Sequence, residues 1–369
     1  MGRFSFYKEM ITMPKKQKNG LYRAGIKLPD GTTKWLSAKT VVELEQKKAA
    51  VRNDLHLGIY ADDKGFTVER WGQRWLELYK ADKSYSTYHG YQNILKNHLT
   101  PILDIKLKDL RKSDIQICIN NASGHYDIQR RIKLMLNQML EAAIEDGLVY
   151  RNVSKNAHCP KKPPTRKRAL TKAERDVIPT LDFTPKEKAF IYLLWYTGMR
   201  PEEVRALTVN DIDFKSNLIT VNKAAAFESN QTELRTPKTE AGNRVVDILE
   251  PLRAPLSEYI SEVDNLYLFT QKDGSLMSQT SYRRFWNKIY KKINNALGGN
   301  SSVKATDITP YVFRHEYATI LYYSEVDVKE AARLMGHKDT RLILEVYAEL
   351  DAGKSNSKSK LEAYLKTAY

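Results

Sequence analysis

Residues 309–350, TPYVFRHEYATILYYSEVDVKEAARLMGHKDTRLILEVYAEL, decide how the chain is read. The stretch reads as three short helices in a row. Thr309 can cap the first, and Pro310 takes its first position, where a missing N–H costs nothing. Asp327 can cap the second, Glu330 can complete a capping box, and Gly336 can end it. Asp339 can cap the third. On this frame Tyr311, Arg314 and His315 fall close together, followed by His337 and then Tyr347. That is a cluster of phosphate-seeking groups followed by a phenol able to act as a nucleophile.

Working outward, 369 residues are too many for one ordinary core, so two or three domains are expected. A hydrophobic content of 42% with regular periodicity indicates a folded chain. No apolar run is long enough to span a membrane. The N-terminal MGRFSFYKEMITMPKK lacks the apolar segment of a secretory signal, so a cytoplasmic location is expected. Cys118 and Cys159 are too few for a disulfide framework or a zinc site and read as buried or half-buried thiols. Sixty Lys and Arg against 44 Asp and Glu give a net charge of +16. A field of that sign attracts polyanions, nucleic acid first among them.

The pattern is mainly α with small β elements. Residues 1–54 carry 12 basic and 5 acidic side chains. Leu21–Leu28 and Thr32–Leu36 read as strands about the turn Pro29-Asp30-Gly31, and Val41–Leu55 reads as a helix. Arg23, Lys27 and Lys34 on this small sheet could face a duplex groove. After a linker at Gly58–Gly65 the pattern is helical from Phe66 to about Val153, a bundle of about four helices. Trp71, Trp75, Leu78 and Tyr79 form one core-facing stripe, and Ile132, Met135, Leu136, Met139, Leu140 and Ala143 another. The segment His158–Arg168, HCPKKPPTRKR, is kept extended by its prolines. Its basic residues Lys161, Lys162, Arg166, Lys167 and Arg168 suit a strap along a phosphate backbone. A last domain opens with the capping box Thr171/Glu174. It contains an apolar helix ending at Gly198 and three short strands, Asn217–Val221, Glu233–Thr236 and Arg244–Ile248, expected to form one antiparallel sheet.

Phosphodiester transfer needs charge on the non-bridging oxygens, an attacking oxygen and a proton for the leaving oxygen. Arg200 and Arg314 could supply the first bidentately. A lysine on a strand-to-strand turn, Lys238, could protonate the leaving group. The Tyr347 phenol, with a pKa of about 10, could attack if cations or a base lie nearby. No carboxylate cluster suited to a pair of Mg²⁺ ions accompanies these residues, so neither metal nor cofactor is expected.

Four boxes resemble those of the tyrosine recombinase family, in its phage and integrative-element integrase branch. Thr197-Gly198-Met199-Arg200-Pro201-Glu202-Glu203 resembles the first box, whose arginine (Arg200) binds the scissile phosphate and whose acid (Glu203) supports it. Thr236-Pro237-Lys238-Thr239, followed by Gly242 and Arg244, resembles the β-hairpin box with its general-acid lysine. Arg314 with His315 matches the second arginine box. Leu334-Met335-Gly336-His337 resembles the box whose histidine hydrogen-bonds the phosphate, and Tyr347 falls where the family places its nucleophile. One position departs: Tyr311 stands where the family has a histidine.

The resemblance implies a site-specific recombinase working through a 3′-phosphotyrosine on double-stranded DNA, as a homotetramer on two duplexes, in a bacterial host and associated with its nucleoid. It implies an arm-type DNA-binding domain at 1–60 (a three-stranded sheet plus helix), a helical core-binding domain at 61–157, a basic linker at 158–168 and a mixed α/β catalytic domain at 169–369. Residues 356–369 are a candidate helix for packing on a neighbouring protomer, and an accessory DNA-bending or excision-directing protein is a further expected partner. Two other readings share these features: a DNA-binding regulator on a decayed recombinase, and a type IB topoisomerase.

Overall fold

The computed structural model describes residues 16–27, 33–56, 66–163, 168–237 and 240–351. The linker Gly58–Gly65, the basic residues Arg166 and Lys167, Lys238, and residues 356–369 lie outside them. The chain divides into two compact units, 1–163 and 164–369. It is mainly helical with small sheets.

In the first unit, β1 (Tyr22–Lys27) and β2 (Thr33–Ala38) pair antiparallel, and α1 (Val41–His56) follows. Two strands lie among the described residues, against the three expected for residues 1–60. The register pairs Arg23 with Ser37 and Lys27 with Thr33, which puts both basic residues on one face beside Trp35. Lys34 pairs with Ile26, which is buried, so Lys34 sits on the opposite face. A two-residue period separates it from Arg23 and Lys27, and the three do not form one basic surface.

The bundle consists of α2 (Val68–Tyr79), α3 (Tyr85–His98), α4 (Lys112–Asn121) and α5 (Tyr126–Glu145). Trp71 and Trp75 are buried, as are the six inward residues expected on α5. Trp71 donates its indole N–H to the Met139 carbonyl at 2.9 Å, tying α2 to α5. Leu78 and Tyr79 face out, at 58% and 39% exposure, while Leu76 is buried. Leu76, four residues after Gly72, shares the face on which Gly72 meets α3, so the buried stripe runs through Leu76. Gly72 lets α3 close in, because a Cβ there would lie 2.7 Å from Leu95 Cδ1. Both cysteines are free, Cys118 buried and Cys159 partly so.

In the second unit α6 (Lys172–Val177) begins with the Thr171/Glu174 capping box. Next comes α7 (Pro185–Thr197), whose run Phe190–Trp195 is buried on all sides, marking it as the central helix of this core. A four-residue helix, α8 (Pro201–Val204), follows. The strands form two sheets where one was expected. β3 (Ile212–Asp213), β4 (Leu218–Val221) and β7 (Arg244–Asp247) make one. β5 (Ala224–Glu228) and β6 (Gln231–Arg235) make a separate hairpin. Its turn residues Ser229 and Asn230 both have positive φ, the geometry that matches strand twist in a two-residue loop. Alanine is a weak strand former, so Ala224–Ala226 gave no strand signal. The core is closed by α9 (Glu250–Ser261), α10 (Gln279–Ala296), α11 (Pro310–Tyr323), α12 (Val328–Met335) and α13 (Arg341–Asp351).

The three helices of the opening stretch form as expected, with two differences at their starts. Thr309 occupies the N-cap of α11 without a side-chain bond. Asp327 caps α12 by accepting from the Lys329 and Glu330 N–H groups, but Glu330 turns to Arg333 instead of closing a box. The Asp339 carboxylate accepts from the Arg341 N–H at the head of α13.

Candidate active site

The end of α7 sets the site. Gly198 adopts φ +60°, and a Cβ there would press on the Tyr317 ring and lie 2.8 Å from Met335 Sδ. Only glycine allows that turn, which presents the Gly198 carbonyl to Arg314 Nη1. Two residues on, Arg200 starts α8, and its N–H donates to Glu203 Oε2 at 2.8 Å. Its guanidinium pairs with Glu203 Oε1 at 2.7 Å and donates to the Gly336 carbonyl at 3.0 Å. Glu203 is 3% exposed. Burial opposes its charge, yet hydrogen bonding to Arg244 and the charges of Arg244 and Arg200 hold the carboxyl below its ordinary value.

Arg244 carried no assigned role in the sequence, and it proves central. It is buried, donates to Glu203 at 2.8 Å and to the Leu334 carbonyl at 2.7 Å. Gly336, at φ +63°, makes room for it, since a Cβ would lie 2.7 Å from Arg244 Nη1. One carboxylate therefore orients two guanidiniums, and both of these bind the backbone of the His337 box.

Arg314 is buried and donates to the Gly198 and Met335 carbonyls. Its Nη2 lies 2.8 Å from His337 Nε2. Arginine can only donate, so Nε2 accepts and the His337 proton sits on Nδ1. That Nδ1 is buried and has no partner. Burial and the nearby Arg314 and Arg200 charges push the His337 imidazole down to about 4, which keeps it neutral. Burial and Arg200 likewise push Arg314 down to about 9, a guanidinium short of counter-charge that still remains charged at neutral pH. Three arginines against one glutamate, with an unsatisfied N–H beside them, suit an oxyanion.

These groups open into a cavity of about 400 Å³ lined by Arg200, Tyr311, Arg314, His315, His337 and residues of α13, among them Leu342, Glu345 and Val346. Tyr311 donates its hydroxyl to Glu202 Oε2 at 3.4 Å. Desolvation and the Glu202 charge raise its pKa, so it stays protonated. Among the described residues no three His, Cys, Asp or Glu side chains gather as metal ligands.

Tyr347 is not among the cavity's lining residues. It is 9% exposed and packs edge-on against Tyr322, with ring centroids 5.0 Å apart, in a cluster with Tyr317, Leu321 and Ile343. Its hydroxyl donates to the Val326 carbonyl at 3.4 Å, and burial raises its pKa. Of the basic linker, Lys162 is paired with Asp127 at 2.6 Å and Lys161 is exposed. Arg168 directs its guanidinium to Glu174, Asp307, Thr306 and the Ala169 carbonyl, and so staples the start of the second unit. A guanidinium with all five N–H groups engaged has none left for a phosphate strap.

Residues 174–354 match the model of the phage integrase family, and residues 67–122 match the phage integrase N-terminal SAM-like domain. An integrase of Streptomyces ambofaciens is 24% identical over 330 residues, covering 84% of this chain and 83% of that protein. The solved integrase of transposon Tn1549, in complex with transposon right end DNA, is 20% identical with a TM-score of 0.66 and covers 82% of this chain and 99% of that one. A lambda integrase tetramer bound to a Holliday junction is 17% identical with a TM-score of 0.59, over 92% and 96%. Family models on both units, relatives matched over most of their length and the shared fold lead to one conclusion: the chain belongs to the phage integrase family and is a tyrosine-type site-specific recombinase.

Proposed function

We propose that the chain integrates and excises a mobile element by cutting and rejoining duplex DNA through Tyr347, acting as a tetramer on two duplexes. The observation that carries this is the convergence of Arg200, Arg314 and His337 on one cavity. A phosphodiester oxygen placed there supplies the negative charge that the cluster of Arg200, Arg244 and Arg314 lacks. The Tyr347 oxygen attacks phosphorus as the bond to the 5′ oxygen breaks, and Lys238 delivers a proton to that oxygen. The products are a 3′-phosphotyrosine and a 5′-hydroxyl. The 5′-hydroxyl of a partner strand reverses the step, so the bond energy is conserved. Tyr311 takes the proton of Tyr347 as it passes its own to Glu202.

Attack requires Tyr347 to leave Tyr322 and Val326 and enter the cavity. α13 follows directly on the turn Lys338–Thr340, which makes it the element that moves. Relatives solved on DNA support DNA as the partner, while Arg23 and Lys27 on the outer face of the N-terminal sheet and the exposed Lys161 are the proposed contacts to it. A cytoplasmic, DNA-associated protein is the setting this chemistry needs.

The test is recombination between plasmids carrying the repeats that flank the element. Strand exchange that Arg314→Ala abolishes is expected. Relaxation of supercoiled plasmids without those repeats would overturn the reading in favour of a topoisomerase, and binding without strand exchange would point to a regulator.

A further inference from the structure

Arg205, five residues after Arg200, is 5% exposed and lies outside the cavity described above. Its Nη2 donates to the Ala225 carbonyl at 2.6 Å. Its guanidinium lies 3.9 Å from the Phe227 ring centroid and 4.8 Å from that of Tyr282. Its Nε and Nη1 are buried without a partner. A leucine or methionine would fill this volume without burying unpaired donors, so packing alone does not explain a cation here. What the guanidinium adds is a directional bond to one strand and a cation–π contact with the same strand.

That strand is β5, half of a hairpin whose other half leads to Lys238. Ala225 pairs with Leu234, and the chain runs from β6 through Arg235 to Lys238 and on to Arg244. The hairpin tip is held elsewhere. Thr232 donates to the Met277 carbonyl at 2.6 Å, and Asn230 Oδ1 accepts from the Thr280 N–H at 2.9 Å. Arg205 grips the open end, where the chain departs toward Lys238. On the far side the segment is fixed by Arg244, itself bound to Glu203. Both ends of the lysine-bearing segment are thus tied to the α8 region, which carries Arg200, Glu203 and Arg205.

We infer that Arg205 is a positioning residue for proton transfer: it clamps the β5–β6 hairpin, from which the chain runs on to Lys238, to the Arg200 box. The inference rests on the reading of Lys238 as general acid, and the experiment separates the two. Cleavage is measured on nicked substrates whose scissile linkage carries either oxygen or sulfur at the 5′ bridging position. With oxygen, the breaking O–P bond needs a proton from Lys238. With sulfur, the leaving thiolate is a far weaker base than an alkoxide and needs none.

Arg205→Met should cleave the oxygen substrate about ten- to a hundredfold more slowly, within the range general acids contribute. It should cleave the sulfur substrate within about threefold of the parent, because the acid's share of the rate is no longer in play. Phe227→Leu should show the same pattern with a smaller loss. Thermal unfolding of both variants identifies any global destabilisation, which would slow both substrates alike. Lys238→Ala is the reference and should be rescued by sulfur. Rescue of all three variants supports the inference. Rescue of Lys238→Ala alone, or full oxygen-substrate activity in Arg205→Met, overturns it. Failure of sulfur to rescue Lys238→Ala overturns the general-acid reading beneath it.

Discussion

Tyr311 is where this chain departs from its family, and its environment explains how a phenol can stand there. The hydroxyl points at Glu202, so a proton it receives has an acceptor, and its raised pKa keeps it a donor instead of a competing anion. Tyr311→His replaces the two-group route with one imidazole. Cleavage of a nicked substrate is expected at the parental rate or above it, and abolished cleavage would mean that the phenol has a separate role. His337 makes an independent prediction about pH. Its neutral form, with Nε2 accepting from Arg314 and the proton on Nδ1, is held by a pKa pushed down to about 4. Protonation would remove the acceptor, so activity depending on His337 is lost only as pH falls through about 4. The rate should show no break near 6.5 that depends on this residue. An inflection there that His337→Gln removes would contradict the assignment.

At the scale of elements, the motifs were legible wherever they were local. Arg200 and Glu203 lie three residues apart across a capping box, and the αL turns at Gly198 and Gly336 are marked by glycine itself. What sequence could not show was set by partners distant in the chain. Arg244 clamps Glu203 across 41 positions, and Arg168 reaches Asp307 across 139. The face of α13 was equally hidden, because its packing on α11 decides whether Tyr347 points into the cavity or into the apolar cluster beside it. Tyr322 holds the inward-packed state through a ring pair worth about 1 kcal/mol. Removing it with Tyr322→Ala should raise the attack-ready population about fivefold where release of α13 limits cleavage. Single-turnover cleavage on a nicked substrate reads this directly. An unchanged or slower rate, with the fold intact, would show that this contact does not restrain the nucleophile.

For the molecule as a whole, the charge of +16 and the two separate cores were already implied by composition and periodicity. The fold class followed from them, but the strand partners did not, since Ala224–Ala226 carries no strand signature and Lys34 changes face with its register. A basic chain held to DNA by phosphate contacts should lose affinity steeply as salt rises, with log K falling linearly in log salt. A slope near zero would exclude phosphate-dominated binding. The most direct measurement is to trap the protein on a nicked duplex bearing its site, digest the covalent complex and locate the modified residue by mass spectrometry. The nucleotide should be found on Tyr347 through a 3′ phosphate, with a free 5′-hydroxyl on the released strand and no adduct from Tyr347→Phe. An adduct on another residue, a 5′ linkage, or an adduct surviving in Tyr347→Phe would contradict it.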